Sequence, residues 1–134
     1  MRVVFDTNIF ISAFAIPGGR AETAVLKVLA GDVHLVISRD IIHEVLEVLA
    51  RKFSHDTEQL AHTAVYLSEL AEVVTPRRRL KILDDEPDNR IIECAVAGKA
   101  DTIVTGDQAM LRLGAYRGIQ ILSLKNFLDG VKHT

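Results

Sequence analysis

Arg2-Val3-Val4-Phe5-Asp6-Thr7-Asn8 reads as a short β-rich run that ends in a carboxylate and passes straight into a helix. That helix extends from Thr7 to Ala15 and stops at Pro17-Gly18-Gly19. Arg20 to Ala30 follows with apolar residues at helical spacing (Ala21, Val25, Val28, Leu29) and Gly31 as a stop. Val33 to Ile37 is a second strand. Ser38 is suited to cap a helix from Arg39 to about Lys52, with Asp40 at the positive end of the helix dipole.

The alternation continues to the end of the chain. His55 to Glu72 carries an apolar stripe of Leu60, Ala64, Leu67 and Leu70. Val73-Val74-Thr75 makes a short strand closed by Pro76, and Arg77 to Pro87 reads as irregular chain. A helix from Asn89 to Lys99, with Asp88 as its N-cap, leads to a buried strand at Thr102 to Val104. Gln108 to Leu113 is a short helix, Ile119 to Leu122 a last strand, and Ser123 caps a closing helix to about Gly130. Strands separated by helices imply a parallel sheet, an α/β fold with right-handed crossovers.

The totals agree with one domain over 1–134. Apolar residues make up 49% of the chain, a globular composition. The single cysteine, Cys94, excludes an internal disulfide framework and a cysteine-based zinc site, and among apolar helix residues it reads as a core filler. No apolar stretch approaches the roughly 20 residues that span a membrane, and no signal peptide is visible, so a cytoplasmic protein is expected. A net charge of −2 argues against charge-driven coating of DNA. It leaves room for a nuclease, because a metal-loaded carboxylate cluster is less negative than its sequence suggests.

In open α/β sheets ligands bind beyond the carboxyl ends of the strands. Asp6 directly follows the first strand, Asp107 follows Thr102 to Val104 through one tight turn, and Glu44 lies on the helix after the second strand. Carboxylates brought together repel one another unless a cation holds them. For an all-oxygen site that cation is Mg²⁺ or Mn²⁺, and the matching chemistry is phosphodiester hydrolysis. His43-Glu44-Val45-Leu46-Glu47 has a glutamate where a zinc-protease helix needs its second histidine, which argues against zinc.

The ordered set of Asp6-Thr7-Asn8, Pro17-Gly18-Gly19, Ser38 through Glu44, Asp85-Glu86-Pro87-Asp88-Asn89 with Ile92-Glu93-Cys94-Ala95, and Ala100 through Asp107 resembles the PIN domain family. Within it the chain is similar to the small prokaryotic toxin components, the VapC-like ribonucleases. The resemblance implies a three-layer α/β/α fold around a parallel sheet of four or five strands. It implies a metal-dependent endoribonuclease, the toxin of a toxin–antitoxin pair, in which Asp6, Glu44, Asp88 and Asp107 hold Mg²⁺ or Mn²⁺. The sheet-edge rule alone does not place Asp88; the resemblance does. It further implies hydrogen-bonding help from Asn8 and Thr105, an antitoxin partner and a homodimer, for which the amphipathic helices before Pro76 would supply the interface.

In this scheme Asp6 is the central ligand, Asp107 and Asp88 complete its site, and Glu44 serves a second ion or orients water. Asp84, Asp85 and Glu86 crowd the acidic loop, and Asp85 is rated second to Asp88 there, as a supporting residue. Arg77-Arg78-Arg79 is the one basic run, and with Arg20, Arg90, Arg112 and Arg117 it offers candidate RNA contacts. The competing readings are a noncatalytic acidic-pocket binding module and a receiver-like signalling domain. The latter needs a middle-strand aspartate that the sequence does not display.

Overall fold

Three apolar residues in a row, Val3, Val4 and Phe5, make a strand that must be covered on both faces. All three are 0% exposed in the computed structural model, which describes residues 1–131. Residues 132–134 of the expected domain lie outside that range. The chain runs β1 (Arg2–Phe5), α1 (Thr7–Ala15), α2 (Arg20–Leu29), β2 (His34–Ser38), α3 (Arg39–Phe53), α4 (Thr57–Leu70) and β3 (Glu72–Val74). It continues as α5 (Glu86–Ala97), β4 (Thr102–Val104), α6 (Gln108–Leu113), β5 (Ala115–Tyr116), β6 (Ile119–Leu122) and α7 (Leu124–Val131).

The sheet order is β3-β2-β1-β4-β6-β5. The first five strands in that order pair in parallel, as the alternation of strands and helices predicts. β5 adds an antiparallel edge through a hairpin, with Tyr116 opposite Ile119. Helices flank the sheet, and β1 and β4 occupy its buried middle. Phe5 of β1 packs against Phe10 and Phe127 at centroid separations of 5.8 and 5.7 Å, tying α1 and α7 to the central strand. Among the described residues no single helix is long and apolar enough to cross a membrane.

Helix α5 crosses over from β3 to β4 and lies close against the sheet at its end. A Cβ at Gly98 would stand 2.3 Å from Val36 Cγ1 and 3.2 Å from the Cys94 carbonyl oxygen. Arg2 fixes the same point by donating from Nε and Nη2 to the Gly98 carbonyl at 3.0 and 2.7 Å. Gly98→Ala is therefore expected to cost about 1–3 kcal/mol by overpacking, seen as a fall in Tm of several degrees in thermal unfolding. An unchanged Tm would mean that helix and sheet are not pressed together here.

Several expected boundaries are corrected: α4 spans Thr57–Leu70, β3 is Glu72–Val74 with Thr75 outside it, and the start of α5 moves furthest. α5 starts at Glu86, and its N-cap is Asp85. Asp88 lies inside the first turn, where its N–H donates to Asp85 Oδ1 at 3.4 Å. Pro87 explains the shift: the first helical turn needs no N–H from it, and its fixed φ suits that turn. By sequence alone Pro87 ends a loop, which shifts the expected cap to the next aspartate.

Candidate active site

Each acidic side chain is set by local geometry at the carboxyl edge of the sheet. Asp6 caps α1, its Oδ1 accepting the Asn8 N–H at 2.7 Å. Its Oδ2 accepts the hydroxyl of Thr105. Thr105 Oγ1 also accepts the Asp107 N–H at 3.0 Å. One buried threonine therefore holds together two aspartates that lie far apart in sequence. Asp107 caps α6, accepting the Met110 N–H at 2.9 Å. On α3, Glu44 Oε2 accepts the Thr7 hydroxyl at 3.1 Å.

Asp6, Thr7, Asn8, Glu44 and Asp88 line one pocket of about 40 Å³, together with Pro87 and Ile91. That volume admits a small ion or a water and excludes an organic ligand. The larger concavities of the surface lie along α3 and α5. Asp107 does not line the pocket, but its charge acts on both Asp6 and Asp88.

The charges are held at a cost. Burial raises the Asp6 carboxyl above its usual range; Thr105 and the Asn8 and Ile9 amides oppose the rise, and Asp107 adds to it. Burial also raises Glu44, opposed by Thr7 and reinforced by Asp6, Asp85 and Glu47. Asp88 is pushed up to about 7 by burial first, then by the Asp107 and Asp85 charges, a hydrogen bond shared with Asp107, and Asp6. When ionised, Asp88 leaves its buried Oδ2 with no donor among the described residues. Protonation gives it Asp107 as an acceptor.

Asp88 should therefore make stability depend on pH when divalent metal is chelated. Between its ordinary value near 3.8 and about 7 the folded protein holds a proton that the unfolded chain has lost. Stability contributed by that proton falls as pH rises through this window and levels off above it. Asp88→Asn removes its share of the dependence, leaving that of Asp6 and Glu44. Above pH ~7 the variant is expected to be more stable by ~1–2 kcal/mol, after discounting for a side chain only partly shielded from solvent. Tm measured against pH in chelator for both proteins checks this. The idea fails if wild type gains on Asp88→Asn as pH rises from about 4 to about 8.

The donors fit a hard divalent cation. All are oxygens, one is orphaned, and their ionisation is resisted by burial and like charge. Among the described residues no three carboxylate, imidazole or thiol groups stand close enough to grip an ion without adjusting. Magnesium needs no such cage, since it binds through one or two carboxylates and keeps several waters.

Asn8 contributes its backbone N–H to Asp6, while the residue itself is exposed. Thr105 bonds Asp6, and Asp85 supports Asp88 through the backbone. The arginines divide sharply. Arg79 pairs with Asp40 and Glu93, and Arg90 with Glu86 and Glu93. Arg20, Arg77, Arg78, Arg112 and Arg117 are exposed, and none of the seven lines the carboxylate pocket.

Three residues that the sequence reading did not single out matter here. Thr7 orients Glu44, and its position beside Asp6 was the available hint. Asn89 accepts the N–H groups of Ile82 and Leu83 and donates to the Leu83 carbonyl. Glu93 accepts the Leu80 N–H at 2.6 Å. Polar residues four apart among Ile91, Ile92, Cys94 and Ala95 were their signal. Together they fasten the loop before α5 to that helix. Cys94 is buried, with its thiol pushed up to about 12 by desolvation, and acts as core.

The sequence model of the PIN domain matches residues 2–109. The uncharacterized protein MJ1680 of Methanocaldococcus jannaschii is 27% identical over 117 residues, which cover 84% of this chain and 75% of that one. VapBC2 from Rickettsia felis, solved bound to a DNA fragment from their promoter, superposes with a TM-score of 0.65 and 17% identity over 92% of this chain and 98% of that one. VapBC-1 from nontypeable Haemophilus influenzae gives 0.64 and 17% over 93% and 99%. At those identities the likeness to the two structures is one of fold.

Proposed function

We propose, from the premise that this chain belongs to the PIN domain family, that it is a Mg²⁺- or Mn²⁺-dependent endoribonuclease. The observation that carries the reading is the convergence of Asp6, Glu44 and Asp88 on one ion-sized pocket, with Asp107 tied in through Thr105. A bound divalent ion lowers the pKa of its water and polarises a phosphoryl oxygen.

The chain's own residues supply the rest. Asp6, fixed by Thr105 and the Asn8 N–H, is the central ligand. Asp88 brings an oxygen that no protein donor occupies. Asp107, held by the Met110 N–H, flanks it. Glu44, steered by the Thr7 hydroxyl, orients the attacking water and accepts its proton. Burial raises the Glu44 carboxyl above its ordinary range, which favours its taking up a proton.

The same reading makes the chain the toxin of a cytoplasmic toxin–antitoxin pair, acting as a homodimer with a small antitoxin. The assemblies of the two structural neighbours support a partner. So does the exposed edge contact between Phe14 of α1 and Tyr66 of α4, with centroids 6.1 Å apart. The test is incubation with structured RNA and Mn²⁺ or Mg²⁺, with and without chelator, beside Asp6→Asn. Metal-dependent cleavage that the variant loses supports the reading. Absence of cleavage across a varied RNA pool, or cleavage undiminished in the variant, overturns it.

A further inference from the structure

We propose that a groove along α5, lined by Arg77, Arg78, Lys99 and Arg117, binds the sugar–phosphate backbone of the RNA strand leading away from the carboxylate pocket. The occupant's identity rests on the ribonuclease reading; the groove itself rests on independent observations.

The first is charge. The groove has a volume of about 530 Å³, with Leu80 and Val96 among its walls. All four cations are exposed. Among the described residues none of them takes part in an ion pair. The acid lining the groove, Glu93, is already neutralised by Arg79 and Arg90. A chain of net charge −2 thus presents a concentrated positive strip. Phosphate oxygens are the usual counterparts of such a strip. The apolar walls suit ribose and base faces.

The second is backbone strain. Among the described residues, the non-glycine residues with positive φ are Ser54, Lys99 and Arg117. Two of these are groove cations. Lys99, at φ 52°, occupies the turn that ends α5, its N–H donating to the Val96 carbonyl at 3.2 Å. Glycine or asparagine is the favoured occupant there. Arg117 and Gly118, at φ 48° and 82°, form the two-residue turn of the β5–β6 hairpin. Asn-Gly is the favoured pair in such a turn. At both places a long cation stands where a smaller residue would relax the backbone, and strain kept in this way marks a functional position. Arg117 is also held in place, its Cζ 5.1 Å from the Tyr116 ring centroid.

The third is continuity. Arg77 and Arg78 are shared between the groove and a hollow that reaches Asp40. Asp40 also borders a hollow that reaches Glu44 and Pro87, and these two line the carboxylate pocket. An acidic peptide in the groove would gain nothing by extending toward carboxylates. A polynucleotide would extend there to bring its phosphodiester to a bound cation.

The experiment is fluorescence anisotropy of the full chain with a labelled oligouridylate of about 12 nucleotides, in chelator, across a salt series. For single strands the slope of log K against log salt changes by about 0.7 per phosphate contact. Lys99→Asn/Arg117→Asn is expected to lower the slope by about 1.4, and adding Arg77→Ala/Arg78→Ala by about 2.8 in all. The Asn substitutions suit positive φ, so Tm should hold or rise while binding weakens about tenfold or more at low salt. Lys27→Ala/Lys52→Ala, outside the groove, should leave the slope unchanged. Slopes equal to wild type in the groove variants overturn the proposal. So does displacement of the RNA by polyglutamate at lower charge concentration than by unlabelled RNA, which would assign the groove to an acidic protein. Binding that behaves as expected in a chain that never cleaves would overturn the nuclease reading and leave the groove standing.

Discussion

Asp6→Asn is expected to lower metal-dependent RNA cleavage by at least about 10²-fold, a loss of roughly 3 kcal/mol of transition-state stabilisation, without destabilising the fold. The two halves have one cause. The Asp6 carboxylate is 5% exposed, and burial resists its charge. An amide of the same shape removes that charge. It keeps the oxygen that accepts the Asn8 N–H, and the cap of α1 survives. On the other side the amide nitrogen can donate to Thr105 Oγ1, which has a lone pair to spare beyond the one that accepts the Asp107 N–H.

What the amide cannot do is neutralise a cation. In wild type, saturating Mn²⁺ should raise Tm, since a ligand at about 100 times its Kd adds about 2.7 kcal/mol. In the variant that rise should vanish, while the Tm in chelator near pH 7.5 equals or exceeds wild type. Thermal unfolding with and without Mn²⁺, run beside the cleavage assay, measures both. A variant that melts several degrees lower in chelator, or keeps its metal-induced rise, would show that Asp6 is there for structure.

Glu93→Ala should damage stability severely, at about 3–5 kcal/mol, enough to lower Tm by more than about 10 °C in a domain of this size. Its side chain is 1% exposed, with Arg79 Nη1 at 3.3 Å and Arg90 Nη2 at 3.1 Å. It also accepts the Leu80 N–H. Truncation leaves the Leu80 N–H without its acceptor and takes the buried carboxylate from Arg90, while exposed Arg79 keeps Asp40. Arg90 suffers most, because its own side chain is only 18% exposed and cannot turn wholly to water.

Glu93→Gln keeps an acceptor for the Leu80 N–H and should cost less than half as much. Urea unfolding gives both values. Limited proteolysis should show new cleavage between Arg77 and Leu83 in Glu93→Ala, because the anchor of that segment is gone. Nuclease activity should fall as well, since Asp88 stands in the first turn of the helix that this loop enters. A loss below about 1 kcal/mol would mean that Asn89 alone holds the loop.

These two residues show how unevenly the sequence could be read. Asp6 was legible because what makes it unusual is adjacent to it, the apolar run Val3-Val4-Phe5 before and a helix start after. Ser38 was legible for the same reason, and its Oγ accepts the Ile41 N–H at 3.3 Å as expected of a cap. α1 spans Thr7–Ala15, as its sequence indicated. α4 was placed too early because Asp56 and Gln59 form a reciprocal capping box that the apolar stripe does not reveal. β5 was not foreseen, since Ala115–Tyr116 is too short to show a period and exists only by pairing with β6. Glu93 looked like one more helix carboxylate, and Arg79 and Arg90 like free cations.

The sequence by itself determined the alternation of strands and helices, the parallel sheet, and the placing of Asp6 and Asp107 just beyond strand ends. Hydrophobic period and capping act over a few residues, so they are written in neighbours along the chain. The tertiary structure decided which charges are spent and which are free. It bound Arg79 and Arg90 to Glu93, left Arg77, Arg78, Lys99 and Arg117 without ion-pair partners among the described residues, made Asp85 the cap, and left Asp88 with an orphaned oxygen. Coulomb energy and desolvation depend on distance through space and on depth from solvent, and neither quantity exists until the chain has folded.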